Sequence, residues 1–216
     1  KAVAAPKRLE LLELLAQGPR TVEALAAQAS VSIANASRHL QILRGARLVD
    51  AQKHGLYVEY RLADADVGRF LLSLRRLAES RLAEIEQATR SFFESSSTLE
   101  GVQGEDLLRR VKSGEVTILD VRPVEEYAAG HIPGALSVPV AEIEAQLRHL
   151  PRDRDVVAYC RGPYCVMAAE AVELLRSKGF TAHRMEQGVP DWRARGWRVE
   201  TAAARTPTRQ RPRAAR

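Results

Sequence analysis

Cysteine is scarce in this chain. Only two stand among 216 residues, Cys160 and Cys165, and both lie in one short segment. Such a pair is no framework of the kind that staples small secreted folds, and with no secretory signal in view the expected setting is a reducing cytoplasm. Long apolar runs are missing too. None approaches the ~18 residues that a membrane-spanning helix needs, so no membrane contact is expected. Two thiolates in one loop fall short of a closed tetrahedral zinc site, so neither a structural metal nor a cofactor is expected. The chain opens on Lys1 rather than on a methionine, and we expect a few residues ahead of it.

What is present has the balance of a globular protein, with 45% hydrophobic and 28% charged residues,. A chain of this length suits two domains of ~100 residues, each able to bury its own core. The net charge of +6 is unevenly spread. Residues 1–97 carry 14 Lys and Arg against 11 Asp and Glu, residues 98–200 carry 14 against 16, and the tail from Thr201 holds five arginines and no acid. That tail lacks an apolar period and is expected to be disordered, either merely solvated or adding weak attraction to nucleic acid. The polar run Ser95-Ser96-Ser97-Thr98 separates two different helical patterns. We therefore divide the chain into 1–97, 98–200 and a tail 201–216, with no internal repeat across the cut.

In the first part, Leu9, Leu11, Leu12, Leu14 and Leu15 form a stripe that predicts a helix over 7–16, stopped by Gln17-Gly18-Pro19. Thr21 can cap a second helix reaching Ala29. A turn at Ser30-Val31-Ser32 then leads to a third helix over 33–44, with Ala36, Leu40 and Leu43 inward. Beyond Gly45, residues 48–52 and 56–62 alternate apolar and polar side chains around Lys53-His54-Gly55, as a hairpin does. Helix, turn, helix and hairpin in this order predict a mainly α, winged helix-turn-helix domain. In that geometry the second helix of the pair presents its N-terminal residues to base edges in the major groove of double-stranded DNA. Ser32, Asn35, Ser37 and Arg38 are the candidates for that contact, and Lys53 with His54 at the wing tip for backbone or minor groove. His39 either touches a base or orients the helix and binds phosphate.

The segment R-T-V-E-A-L-A-A-Q-A-S-V-S-I-A-N-A-S-R-H-L-Q-I-L-R-G-A-R-L-V resembles the core of the ArsR-type winged-helix repressors, and the likeness extends over about residues 6–94. The resemblance implies a homodimer on an interrupted palindromic operator. It also implies that metal-sensing members carry paired cysteines at the positions held here by Thr21 and Glu23, so that form of sensing is excluded. Residues 70–93 continue as one long amphipathic helix with Leu71, Leu74, Leu77, Ala78, Leu82, Ile85 and Phe92 along a stripe. That stripe must be covered, by a second subunit or by the other half of the chain.

In the second part, a strand over 116–121, another over 156–159, a helix over 166–178 and a strand over 181–185 predict an α/β domain with a largely parallel sheet. Ligands of such sheets bind beyond the carboxyl ends of the strands. Cys160 falls at such an end, in V-V-A-Y-C-R-G-P-Y-C-V, between an apolar strand and a helix. Loop amides and the helix N-terminus there favour a thiolate and any anion bonded to it.

Three ordered strings, L-D-V-R-P-V-E-E-Y-A-A-G-H-I-P-G-A-L-S-V-P, C-R-G-P-Y-C and G-V-P-D-W-R-A-R-G-W-R-V, resemble the rhodanese family over about residues 101–200. The resemblance implies that Cys160 takes the outer sulfur of a small donor such as thiosulfate or a persulfide, becomes a persulfide, and passes that sulfur on. The loop Arg161, Gly162, Pro163, Tyr164, Cys165 and Val166 would bind the donor. A cysteine-dependent phosphatase needs an arginine where Val166 stands, which disfavours phosphate. Arg161 is expected to lower the Cys160 pKa and attract an anionic donor. Asp120 and Arg122 are expected to pair and support the loop, with His131 and Trp192 structural. Cys165 is either a passive small residue or a resolving thiol that attacks the Cys160 persulfide or closes a disulfide.

The two parts together predict a DNA-binding repressor whose rhodanese-like domain senses or processes reactive sulfur. An alternative keeps the chain as a sulfurtransferase that the winged domain only dimerises or localises, and a third uses Cys160 and Cys165 as soft ligands for a metalloid.

Overall fold

In the first half, helix α1 (Pro6–Gln17) starts on a proline, whose fixed φ suits a first helical turn,. Strand β1 (Arg20–Thr21) leads straight into α2 (Val22–Gln28), where the Thr21 hydroxyl accepts the Ala24 N–H at 3.3 Å. Ser30 takes the turn at φ 52°, and α3 (Ile33–Gly45) begins where the Ser32 hydroxyl accepts the Asn35 N–H at 3.2 Å. Strands β2 (Val49–His54) and β3 (Tyr57–Leu62) pair antiparallel with His54 opposite Tyr57, and β1 adds to the free side of β3. The result is a helix-turn-helix with a wing, and two-residue β1 had no pattern of its own to announce it.

The structure is a computed structural model that describes residues 1–55, 57–82, 84, 87 and 104–202. The break at Ser95–Thr98, the stripe positions Ile85 and Phe92, and the tail from residue 203 lie outside the described residues. Helix α4 (Ala65–Arg81) begins before the expected Phe70 because the Asp64 carboxylate accepts the Val67 N–H at 3.1 Å. That is an N-cap the apolar stripe does not reveal. Leu11, Leu12, Leu25, Leu40, Leu43, Val49 and Leu71 close the core of this half.

The second half runs α5 (Gly104–Lys112), β4 (Val116–Asp120), α6 (Val124–Ala129), β5 (Leu136–Ser137), α7 (Ile143–Gln146), β6 (Asp155–Tyr159), α8 (Val166–Ser177), β7 (Ala182–Arg184) and α9 (Val189–Ala194). All strand pairings are parallel, in the order β5-β4-β6-β7. Every residue of β4 is buried, as a central parallel strand covered on both faces requires,. One apolar cluster around Val172 and Leu175 fills one face, and another around Trp192 and Ile118 fills the opposite one. The fold is thus a mainly α winged helix-turn-helix followed by an α/β domain with a parallel sheet.

The halves touch. Helix α4 packs on α9, and α1 on the same short helix. On the α4 stripe, Leu71 is buried in the core of the winged half itself, while Phe70, Leu77 and Leu82 stay exposed. Among the described residues no helix is long and apolar enough to cross a membrane.

Candidate functional site

Strand β6 ends at Tyr159 with Val156 to Tyr159 fully buried, which carries Cys160 to the carboxyl edge of the sheet. Helix α8 opens at Val166 with Cys165 at its N-cap, so the segment between the cysteines is a short connection from strand to helix. The Cys165 N–H donates to the Gly162 carbonyl at 3.2 Å, which curls the loop. Arg184 Nη1 holds the Pro163 carbonyl from below at 2.9 Å. A Cβ on Gly188 would lie 2.7 Å from the carbonyls of both Cys160 and Arg161, so only glycine lets the start of α9 approach the loop,.

Cys160 and Cys165 are joined as a disulfide across this curl, with Cα atoms 6.4 Å apart. Cys160 is 2% exposed. The expected open thiolate cradled by amides is therefore not the arrangement seen, since the sulfur is bonded and covered and the Cys165 amide is spent inside the loop. Tyr164 and Val166 are exposed at the rim. The Tyr164 hydroxyl donates to Glu79 Oε1 at 2.6 Å, an acceptor on α4. Partial desolvation of the hydroxyl, and then that hydrogen bond, raise the Tyr164 pKa above its usual range.

Arg161 does something other than expected. Its guanidinium grips the buried Glu126, with Nη2 at 2.6 Å and Nε at 3.1 Å from Oε1. A charge so matched has little left with which to lower the thiol pKa or draw a donor. Glu126 also lies within ion-pair distance of Arg20 Nη2, 2.9 Å away on β1 of the winged half and making no hydrogen bond among the described residues, and of Arg122 Nη1 at 3.9 Å. Gln17, the last residue of α1, completes the junction by donating to the Arg161 carbonyl at 3.3 Å and accepting from Arg122 Nη1 at 3.3 Å.

Asp120 and Arg122 meet as a fully buried pair, at 2.9 Å from Nε and 2.5 Å from Nη2. The Tyr159 hydroxyl donates to Asp120 Oδ2 at 2.5 Å and accepts the Ile132 N–H at 3.1 Å. Burial, followed by the charge of Asp120, pushes the Tyr159 hydroxyl well above its usual range. Burial alone would lower the Arg122 guanidinium, but the hydrogen bond and charge of Asp120 carry it above its ordinary value. His131 stacks on Tyr127 at 3.8 Å and Trp192 is fully buried, so both are structural.

In the winged half, Asn35 and Arg38 are exposed on the first turns of α3, and Ser37 and His39 are half-buried. Ser32 spends its hydroxyl acceptor on the Asn35 N–H, so it closes the helix end instead of standing free. Nδ1 of His39 is buried without a hydrogen-bond partner among the described residues. Lys53 and His54 stand exposed on the wing, His54 Nε2 at 3.7 Å from Glu59 Oε2, beside the exposed ring of Tyr57. Glu126, Gln17, Arg20, Arg75 and Glu79 were not anticipated from the sequence. The only local signal was polar side chains that the fold buries. Among the described residues no group of three or more His, Cys, Asp and Glu stands together to hold a metal.

Two family models match the chain: bacterial regulatory protein, arsR family, over residues 5–51, and rhodanese-like domain, over residues 103–195. The chain is 43% identical over 203 residues to the HTH-type transcriptional regulator Rv0324 of Mycobacterium tuberculosis, covering 94% of this chain and 89% of that protein. It is 35% identical over 95 residues to the thiosulfate:glutathione sulfurtransferase of Homo sapiens, 38% of this chain and 83% of that one. Among solved structures, a homodimeric winged helix-turn-helix DNA-binding domain from Mycobacterium bovis is 40% identical, covering 38% of this chain and 75% of that one, with a TM-score of 0.36.

Proposed function

Because this chain belongs to the ArsR family of bacterial transcriptional regulators and carries a rhodanese-like domain behind its winged helix, we propose that the sulfur state of Cys160 sets its grip on DNA. It is a repressor by this reading. Asn35, Ser37 and Arg38 face the major groove, Ser32 caps the recognition helix, His39 orients it, and Lys53 with His54 meets the backbone. A second copy covers Phe70, Leu77 and Leu82, which places two recognition helices about one DNA turn, ~34 Å, apart,.

The sulfur chemistry begins with the reduced loop. The Cys160 thiolate attacks the outer sulfur of a thiosulfate-type donor, a Cys160 persulfide forms, and sulfite leaves with the electron pair of the broken bond. The Cys165 thiol then attacks the inner sulfur of the persulfide. That closes the Cys160–Cys165 disulfide and releases hydrosulfide, which carries away the Cys165 proton. No oxidant beyond the donor is needed. Asp120 and Arg122 support the loop throughout, and the Gly162, Pro163, Tyr164 and Val166 segment encloses the donor.

The observation that carries this reading is the junction of Arg161, Glu126, Arg20 and Gln17. It ties the residue after Cys160 to the strand and helix that lead into the helix-turn-helix. A sulfur-dependent change in the loop must then strain or release the reader, which is the differential interaction that regulation requires. Operator binding measured by anisotropy, with reduced and thiosulfate-treated protein, tests it. Coupling of the usual size shifts affinity by about 5- to 150-fold in wild type, and Cys160→Ser abolishes the shift. Equal affinities in wild type would leave the chain a sulfurtransferase that its winged half merely localises.

A further inference from the structure

Arg75 lies on α4 of the winged half, yet its guanidinium reaches the cysteine loop. A Cβ added to Gly162 would stand 3.1 Å from Arg75 Nη1. The side chain is only 16% exposed, and the nearest carboxylate oxygen, Asp191 Oδ1, is 3.8 Å away. Asp191 spends its other oxygen on the Gly188 N–H at 3.0 Å. Among the described residues nothing hydrogen-bonds the Arg75 guanidinium, and its Nε is buried without a partner. A guanidinium carries a fork of N–H donors, and native proteins rarely bury such donors unmet. These donors face a loop built around a nucleophile.

The other two arginines of the loop are engaged. Arg161 is clamped on Glu126, and Arg184 holds the Pro163 carbonyl. Among the described residues Arg75 is thus a loop-facing cation that still has donors to offer an incoming anion.

We propose that Arg75 is the anion-recognition residue of the Cys160 site, lent to it by the winged half. When the loop is reduced, the Arg75 guanidinium pairs with the oxyanion end of a thiosulfate-type donor and turns the outer sulfur toward Cys160. For its chemistry this rests on the sulfur-transfer reading above. Sulfite leaves still paired with Arg75, so the persulfide stage and the donor-bound stage load α4 differently. The donor is recognised by both halves at once, and a rhodanese-like domain cut free of its winged partner lacks this contact.

Competing alkylation of the reduced full-length chain tests the assignment without relying on sulfur transfer. Iodoacetate and iodoacetamide are close in size, and only the first is an anion. Trypsin cleaves at Arg154 and Arg161, which puts Cys160 and Cys165 on separate peptides, so the rate at Cys160 is read alone. In Arg75→Met the iodoacetate rate falls about fivefold relative to iodoacetamide, the scale of one partly screened charge. Arg75→Lys retains the wild-type ratio, and the iodoacetamide rate is the same in all three. In the single-turnover reaction of the reduced chain with thiosulfate, Arg75→Met raises the donor concentration needed for half-maximal rate. An unchanged ratio in Arg75→Met, or an equal fall with both reagents, overturns the proposal. A lowered ratio in a protein that takes no sulfur from thiosulfate upholds the anion site and overturns the donor reading.

Discussion

Glu126 and Arg20 meet across the boundary between the two halves, with Arg20 Nη2 at 2.9 Å from Glu126 Oε1. The same oxygen receives Arg161 Nη2 at 2.6 Å. One carboxylate, 1% exposed, thus serves the residue beside the nucleophile and the strand that opens the helix-turn-helix. Arg20 and Arg161 compete for a fixed amount of negative charge. Whatever moves Arg161 alters the hold on Arg20, by direct contact and with no intervening chain of packed residues.

Glu126→Gln leaves the buried Arg20 and the half-buried Arg161 without their counter-charge. Removing one partner of a buried ion pair costs about 3–5 kcal/mol, to be read from urea unfolding of the reduced protein. Glu125→Gln, at the exposed neighbouring position, leaves stability within about 0.5 kcal/mol. If the junction transmits the signal, any Glu126→Gln protein that remains folded binds the operator equally well before and after thiosulfate. A full wild-type response in that variant removes Glu126 from the coupling.

The two halves and their order were legible because each rests on a local pattern: the stripe of α1, the capped turn before α3, the apolar strand that stops at Cys160. The buried Asp120–Arg122 pair was readable too, since its members stand two positions apart and flank a strand end. The junction was not. Gln17 and Arg161 are 144 residues apart in sequence, and no periodicity links a glutamine closing one helix to a carbonyl in another domain. The misreading of Arg161 has the same source: next to a cysteine it reads as an activating cation, until folding brings in Glu126. Cap residues show the same limit on a smaller scale, because Ser32 reads equally as a base contact or as the acceptor for its own helix.

Tyr159 supplies a dependence on alkaline pH. Its hydroxyl is buried against Asp120, which holds its folded pKa well above the usual value near 10,. A raised folded pKa means that this stabilisation is complete below the unfolded value and is lost as pH rises beyond it toward the folded one. Wild-type stability therefore declines as the pH climbs above ~10. Tyr159→Phe costs about 1–3 kcal/mol at neutral pH, because Asp120 loses a donor, and its stability changes less with pH in that window. Parallel alkaline slopes for the two proteins, from denaturant midpoints across the range, would assign the decline to another group.

On DNA, Arg38 and Lys53 are expected to fail differently. Arg38 is exposed on the face of α3 that leads the helix-turn-helix, so Arg38→Ala loses about 1–3 kcal/mol on the operator and less on unrelated duplex. Lys53 is exposed on the wing, so Lys53→Ala weakens all duplexes alike and reduces the salt slope by about one. Binding isotherms on operator and random DNA at several salt concentrations separate the two patterns. The reverse pattern would place the wing, and not α3, at the bases.

Cys165 decides which sulfur species the cell-side signal leaves behind. With its partner thiol present, a Cys160 persulfide is short-lived, because the loop already brings the two Cα atoms to 6.4 Å, within bonding reach,. Thiosulfate treatment of reduced wild type is then expected to yield the disulfide and free hydrosulfide, with little persulfide surviving. Cys165→Ser removes the attacking thiol but keeps a residue able to cap α8,, so the persulfide accumulates as a gain of ~32 Da on the Cys160 peptide. Operator binding by that variant then identifies the active species. If the treated variant still changes affinity, the persulfide itself is the signal; if only wild type responds, the disulfide is. Equal persulfide lifetimes in the two proteins would instead make Cys165 a passive small side chain.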